Sequence, residues 1–185
     1  MGTIRIISGK YRGKGLAAPE GEETRPLLSR LRKSLADILR PKLQGTRVLD
    51  LFSGSGAICF ELLSNGAESA VLIEKSPKSA AYIRKNALAL GAEAKVIEND
   101  CLKVIPNLSG AGERFDVIIV APPYGLELQS AAMKALVQNP LLKEGGTVVV
   151  QREVKESFWE PLKPFHLIET RKYGRTVFDF YGQGL

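Results

Sequence analysis

Short apolar runs alternate along this chain with longer stretches of helical spacing. Val48, Leu49 and Leu51 form one run, Ala70 to Ile73 a second and Val96-Ile97 the heart of a third. Val117 to Val120 and Val148 to Val150 add two more. Runs this short suit strands buried on both faces of a sheet. Between them, residues 57–63, 77–90, 102–108 and 126–137 read as helices, with Pro77 in a first turn and Gly91 as a stop. Regular strand–helix alternation predicts an α/β fold: a mostly parallel sheet with helices on both faces. The tail departs from this. Residues 166–171 and 176–181 flank Lys172-Tyr173-Gly174-Arg175, a hairpin pattern that predicts an antiparallel last strand.

The start of the chain is patterned differently. Residues 4–8 and 16–18 read as the strands of a β-hairpin whose tip carries Lys10, Tyr11, Arg12 and Lys14. Leu28, Leu31, Leu35, Ile38 and Leu39 then keep an apolar stripe at helical spacing, with Ser29 as N-cap and Pro41 as the stop. Charge separates the two parts. Residues 1–47 hold eleven Lys/Arg against four Asp/Glu, whereas residues 48–185 hold fifteen against sixteen. The expected division is a basic appendage over residues 1–45 and a catalytic body over residues 46–185. A neutral body with a basic extension fits a polyanionic partner, nucleic acid above all. Lys10, Tyr11, Arg12, Lys14, Thr24, Arg25, Arg30, Arg32 and Lys33 are the candidate contacts.

The remaining bulk properties narrow the class. No run approaches the ~18 apolar residues of a membrane span, and no signal-peptide core is present. Two cysteines and one histidine exclude a disulfide framework and argue against a metal centre. The expectation is a metal-free, monomeric cytoplasmic protein.

The chemistry concentrates after the first apolar run. Asp50-Leu51-Phe52-Ser53-Gly54-Ser55-Gly56 reads as a strand end, a glycine turn and a helix start. Such turns bind nucleotide-like ligands in α/β folds. A dinucleotide fingerprint would need a glycine at position 59, where Cys59 stands, and a P-loop would need a lysine that is absent. An acid before the loop repels pyrophosphate and suits a ligand bearing ammonium or sulfonium charge, as S-adenosylmethionine does. Glu74 follows Gly54 by twenty residues, the spacing at which a carboxylate meets ribose hydroxyls. Asp100 is placed to accept from an adenine amine, and Leu102 to pack on its ring.

These residues together, with Asn99-Asp100 and Pro122-Pro123-Tyr124, resemble the class I S-adenosylmethionine-dependent methyltransferases of Rossmann-like fold. Residues 5–13, Thr24-Arg25-Pro26 and Tyr173-Gly174-Arg175-Thr176 resemble more narrowly the RsmD family, which methylates the N2 amine of a guanine in 16S ribosomal RNA. The resemblance implies that Asp50, Phe52, Gly54, Gly56, Glu74, Asn99, Asp100 and Leu102 hold the cofactor. It also implies that Ala121, Pro122, Pro123 and Tyr124 form the catalytic motif, and that 16S RNA or a small-subunit particle is the partner. One position departs: the family has Asp or Asn where Ala121 stands. That acceptor helps make a delocalised base amine nucleophilic, so its loss points to reduced activity. Two alternatives stay open, an adenine-N6 methyltransferase on DNA or RNA and a catalytically weak cofactor- and RNA-binding assembly factor.

Overall fold

The computed structural model describes residues 2–20 and 26–184, the side chains of Pro26 and Leu27 excepted. Strands β1 (Gly2–Arg5) and β2 (Gly15–Ala18) pair antiparallel as the N-terminal hairpin. Helix α1 (Pro26–Leu43) leads into β3 (Arg47–Asp50), α2 (Ala57–Ser64), β4 (Ser69–Glu74), α3 (Pro77–Leu90) and β5 (Ala94–Glu98). Then come α4 (Cys101–Gly110), β6 (Phe115–Val120), α5 (Leu128–Gln138), β7 (Leu142–Glu153), β8 (Phe165–Tyr173) and β9 (Thr176–Gln183).

The main sheet has seven strands in the order β5-β4-β3-β6-β7-β9-β8. β5, β4, β3, β6 and β7 are parallel, and β9 enters antiparallel between β7 and β8. The apolar runs of β3, β4, β6 and β7 are continuous because both faces of these strands are covered, whereas β5, at the sheet edge, exposes Lys95 and Glu98. Val48, Leu72, Val117, Ile119, Val149, Phe178 and Phe180 pack toward α1, α2 and α3. Leu49, Val71, Ile73, Ile118, Val120, Val148 and Val150 pack toward α4 and α5.

Several boundary expectations shift, the first hairpin strand among them: expected over residues 4–8, it is Gly2–Arg5. Pro41 does not stop α1, which runs to Leu43, and Ser29 lies inside the helix rather than at its cap. A proline in the last turn removes only one of the final ladder bonds, which the helix tolerates that close to its end. β7 begins at Leu142, well before the expected Thr147. A register shift between Phe115 and Val117 on β6 absorbs the Gly145-Gly146 segment within the strand. Among the described residues no helix is long and apolar enough to cross a membrane.

The N-terminal segment shares its core with the rest of the chain. Ile4, Ile6, Leu16, Leu31, Leu35 and Leu39 join the same cluster as Phe60, Leu62 and Ile83. A buried carboxylate does the anchoring. Glu61, 1% exposed, accepts from Ile7 N–H at 3.0 Å, from Ser8 N–H at 2.9 Å and from the Ser8 hydroxyl at 2.9 Å. Asn86 of α3 adds a two-way bond to Ala17, accepting from its N–H at 2.9 Å and donating to its carbonyl at 2.8 Å. Replacing Glu61 by alanine leaves the half-buried Ile7 and Ser8 N–H groups without their acceptor, each costing about 1–3 kcal/mol. Thermal unfolding of Glu61→Ala should therefore show a destabilisation of about 3 kcal/mol, on the order of 10 °C in Tm. An unchanged Tm would contradict the anchoring role.

Candidate active site

The parallel strands end on one side of the sheet, and the loops leaving β3, β4, β5 and β6 enclose a cavity of about 780 Å³ there. That size suits a nucleoside-sized ligand. Ten of the expected site residues line it: Phe52, Gly54, Glu74, Asn99, Asp100, Leu102, Ala121, Pro122, Pro123 and Tyr124. Leu28 of α1, Cys101, Leu126 and Gln151 line it as well.

The glycine loop is held by Glu74. One carboxylate oxygen accepts from Gly54 N–H at 2.6 Å and the other from Ser76 N–H at 2.7 Å. The acid at the end of β4 thus ties the loop after β3 to the start of α3. Each oxygen keeps acceptor capacity toward the cavity, since a carboxylate offers about four lone-pair sites. Gly54 adopts φ 54° and Gly56 φ 77°, the left-handed region that favours glycine. A Cβ at Gly56 would also stand 2.9 Å from the Phe60 ring. Gly56 therefore shapes the turn and its packing on α2, and it does not line the cavity.

Asp50 is likewise placed beneath the loop rather than in the cavity. It is 1% exposed, and its carboxyl accepts from Phe52 N–H at 3.3 Å. Burial pushes this carboxyl up to about 7; the Phe52 bond opposes the rise and the nearby Glu74 charge adds to it. Asp100 has a double duty. It caps α4 by accepting from Leu102 N–H at 2.9 Å, and its second oxygen lies 3.8 Å from Lys75 Nζ. Leu102, 39% exposed, offers an apolar surface beside it. Burial raises the Cys101 thiol to about 12, which leaves it unsuited to nucleophilic work.

On the opposite wall, Ala121 follows β6 directly and Pro122 is buried behind it. The Tyr124 ring is 42% exposed. Its hydroxyl accepts from Gln151 Nε2 at 2.8 Å and lies 3.1 Å from the Thr176 hydroxyl. The loop beyond is tethered: Gly125 N–H donates to Glu156 at 2.7 Å, and Ser157 N–H to Glu127 at 3.2 Å. Thr176 was legible only as part of the closing hairpin, and Gln151 carried no motif at all.

The expected nucleic-acid contacts divide. Lys10, Arg12 and Lys14 are exposed on the hairpin tip, which is pinned to the end of α2 remote from the glycine loop by Lys10 N–H on Ser64 at 2.8 Å. Tyr11 packs partly against the core, with the Lys10 ammonium 4.8 Å from its ring centroid. Arg30 is exposed in the first turns of α1, near the cavity-lining Leu28. Lys33 is exposed but paired with Asp37. Arg32 is a correction. It is 8% exposed and donates to the Arg5 carbonyl at 3.0 Å, so it braces the hairpin instead of facing a phosphate. Burial lowers its pKa, with Glu61 opposing that shift. Thr24 and Arg25 lie outside the described residues. No group of three or more His, Cys, Asp or Glu able to hold a metal ion occurs among the described residues.

A mostly parallel seven-stranded sheet, an inserted antiparallel β9 and a cavity over a glycine loop together define the class I methyltransferase fold. The family described as Conserved hypothetical protein 95 matches residues 4–182, and the chain belongs to it, the RsmD family. Ribosomal RNA small subunit methyltransferase D of Escherichia coli K12 is 32% identical over 181 residues, spanning 97% of this chain and 90% of that protein. Its Haemophilus influenzae counterpart is 31% identical over 183 residues, spanning 97% and 94%. A solved structure of a hypothetical protein from Thermus thermophilus superposes with TM-score 0.80 at 35% identity, covering 96% of this chain and 98% of that one.

The raised Asp50 pKa has a direct consequence for stability. Because its folded pKa of about 7 exceeds the ordinary 3.8, protonation favours the folded state. The contribution is complete below about pH 4 and is lost as pH rises through 7. Asp50→Asn keeps an oxygen for Phe52 N–H without the buried charge. Melting from pH 4 to 8 should show a shallower decline in the variant and higher stability than the parent above pH 7. Identical pH profiles would contradict this.

Proposed function

We propose that this member of the methyltransferase D family transfers a methyl group from S-adenosylmethionine to the exocyclic N2 amine of a guanine in small-subunit ribosomal RNA. The observation that carries the reading is the shared cavity, which joins a diol-accepting carboxylate, an adenine-sized wall and a Pro-Pro-Tyr wall. Family membership supports methyl transfer to ribosomal RNA, and the guanine target is the finer reading.

The residues present fit the cofactor. Glu74 keeps acceptor sites for the two ribose hydroxyls, Asp100 and Asn99 offer acceptors at the next strand end, and Leu102 and Phe52 offer apolar surfaces to a purine. When bound, S-adenosylmethionine supplies an electrophilic methyl group on a positively charged sulfur. The Glu74 and Asp100 carboxylates that line the cavity favour that charge, and Asp50 shapes the loop from beneath it. On the other wall, Pro122 provides a carbonyl acceptor for one amine N–H, and the exposed face of Tyr124 provides a stacking platform for an extruded base. Fixing the amine in line with the methyl group contributes through orientation.

Arg30 would meet phosphates beside this cavity, and the basic hairpin tip would meet them farther along the RNA, past the end of α2. Contacts of that kind set affinity and position and are sensitive to salt. Transfer of labelled methyl groups to bulk ribosomal RNA and to assembled small subunits, followed by nucleoside analysis, tests the reading directly. N2-methylguanosine is the expected product; N6-methyladenosine would favour the adenine-N6 alternative, and no product with intact cofactor binding would favour the assembly factor. Double substitution of Arg12 and Lys14 by glutamine should weaken RNA binding several-fold at low salt. It should also reduce the slope of log affinity against log salt by roughly 1–2. Equal slopes would contradict hairpin docking.

A further inference from the structure

The resemblance implies a side-chain acceptor at the position where Ala121 stands, and the wall around Ala121 is not empty of acceptors. β6 and β7 run parallel with Val120 opposite Val150, so the next residues, Ala121 and Gln151, stand side by side. Neighbouring strands lie about 4.8 Å apart. Side chains alternate along a strand, and the alternation places these two on one face. Val117 and Ile119 precede Ala121 on that face, Val149 precedes Gln151, and Phe178 sits opposite Gln151 on β9. Both residues line the cavity.

The orientation of the Gln151 carboxamide is set by its neighbours. Its Nε2 donates to the Tyr124 hydroxyl at 2.8 Å, and that hydroxyl is shared with Thr176. No described donor reaches Gln151 Oε1. The other carboxylate and amide acceptors of the cavity lie on the far wall and already take backbone N–H groups: Glu74 from Gly54 and Ser76, Asn99 from Asp100, Asp100 from Leu102. Gln151 therefore presents the side-chain oxygen nearest in register to the vacant family position.

We propose that Gln151 is a catalytic residue whose Oε1 accepts one N–H of the target amine, replacing from the neighbouring strand the acceptor that Ala121 lacks. The inference rests on the amine-methyltransferase reading above. With Gln151 and the Pro122 carbonyl each accepting one N–H, the amine nitrogen becomes pyramidal and its lone pair is freed from the ring. That lone pair forms the new N–C bond to the methyl carbon. The C–S bond breaks with its electron pair going to sulfur, which loses its positive charge, and the extra proton on nitrogen leaves to water. Gln151, a neutral amide, takes no proton.

The test uses four full-length variants: Gln151→Leu, Tyr124→Phe, Ala121→Asn and the double variant Gln151→Leu with Ala121→Asn. Loss of a preorganised polar group of this kind costs about 10²-fold in rate. Gln151→Leu should therefore lose about that factor in kcat, with the KM for RNA and the calorimetric affinity for S-adenosylhomocysteine within a few-fold of wild type. Adding Ala121→Asn should restore most of the loss, because an acceptor returns on the same face. Tyr124→Phe, which loosens the carboxamide but leaves its oxygen in place, should lose less than Gln151→Leu. Equal activity of Gln151→Leu and wild type would overturn the proposal while leaving the methyltransferase reading intact. So would failure of Ala121→Asn to rescue a folded Gln151→Leu, or a Tyr124→Phe loss as large as that of Gln151→Leu; either makes Gln151 a mere support for the tyrosine. A wild-type protein that forms no methylated amine on any nucleoside would overturn both readings together.

Discussion

The site depends on one carboxylate bridging two loops. Glu74 closes the gap between the glycine turn and the start of α3 by taking a backbone N–H from each, at 2.6 and 2.7 Å. Hydrogen bonds to an ionised acceptor are among the stronger ones a protein makes. They are also directional, so they fix where the turn lies relative to β4. The cavity floor exists because these two segments are held at a set separation. The same oxygens retain lone pairs toward the cavity, so the group that builds the site is also the group a diol would meet.

The other wall is built by a different logic. There the sheet register, not a single acid, brings groups together. β7 follows β6 in parallel, β9 follows β7 antiparallel, and the tyrosine after β6 reaches back to Gln151 and Thr176. Glu156 and Glu127 tether the loop that carries this tyrosine to the loop after β7. One wall is thus specified by local turns and the other by long-range strand order. The N-terminal segment joins the same body through Glu61, which holds Ile7 and Ser8, and through the shared apolar core.

That difference explains what the sequence made legible. The apolar runs marked the parallel strands of the main sheet, because a strand buried on both faces leaves a continuous signature. Glu74 was legible by its twenty-residue spacing from Gly54, and Asp100 by its place after an apolar run. Arg32 was misread as a phosphate ligand although it sits three residues before Leu35 and four before Ala36, within the buried stripe of α1. Attention to that register would have placed it inside. Glu61 carried a signal too, a lone charge in the apolar helix α2. Gln151 carried none, because its proximity to Ala121 follows from the order of β6 and β7, which no local pattern encodes. Pro41 was over-read as a terminator because its cost depends on how soon the helix ends anyway.

The central claim is that the Glu74 bridge and its residual acceptor sites create a nucleoside pocket for a sulfonium-type methyl donor. Calorimetric titration of the wild-type protein and of folded Glu74→Ala with S-adenosylhomocysteine tests it most directly, with a pyridine dinucleotide as the competing ligand. Saturable binding to the wild type is expected, with a loss of at least an order of magnitude in Glu74→Ala and no comparable binding of the dinucleotide. Equal affinity in both proteins, or preference for the dinucleotide, would contradict it.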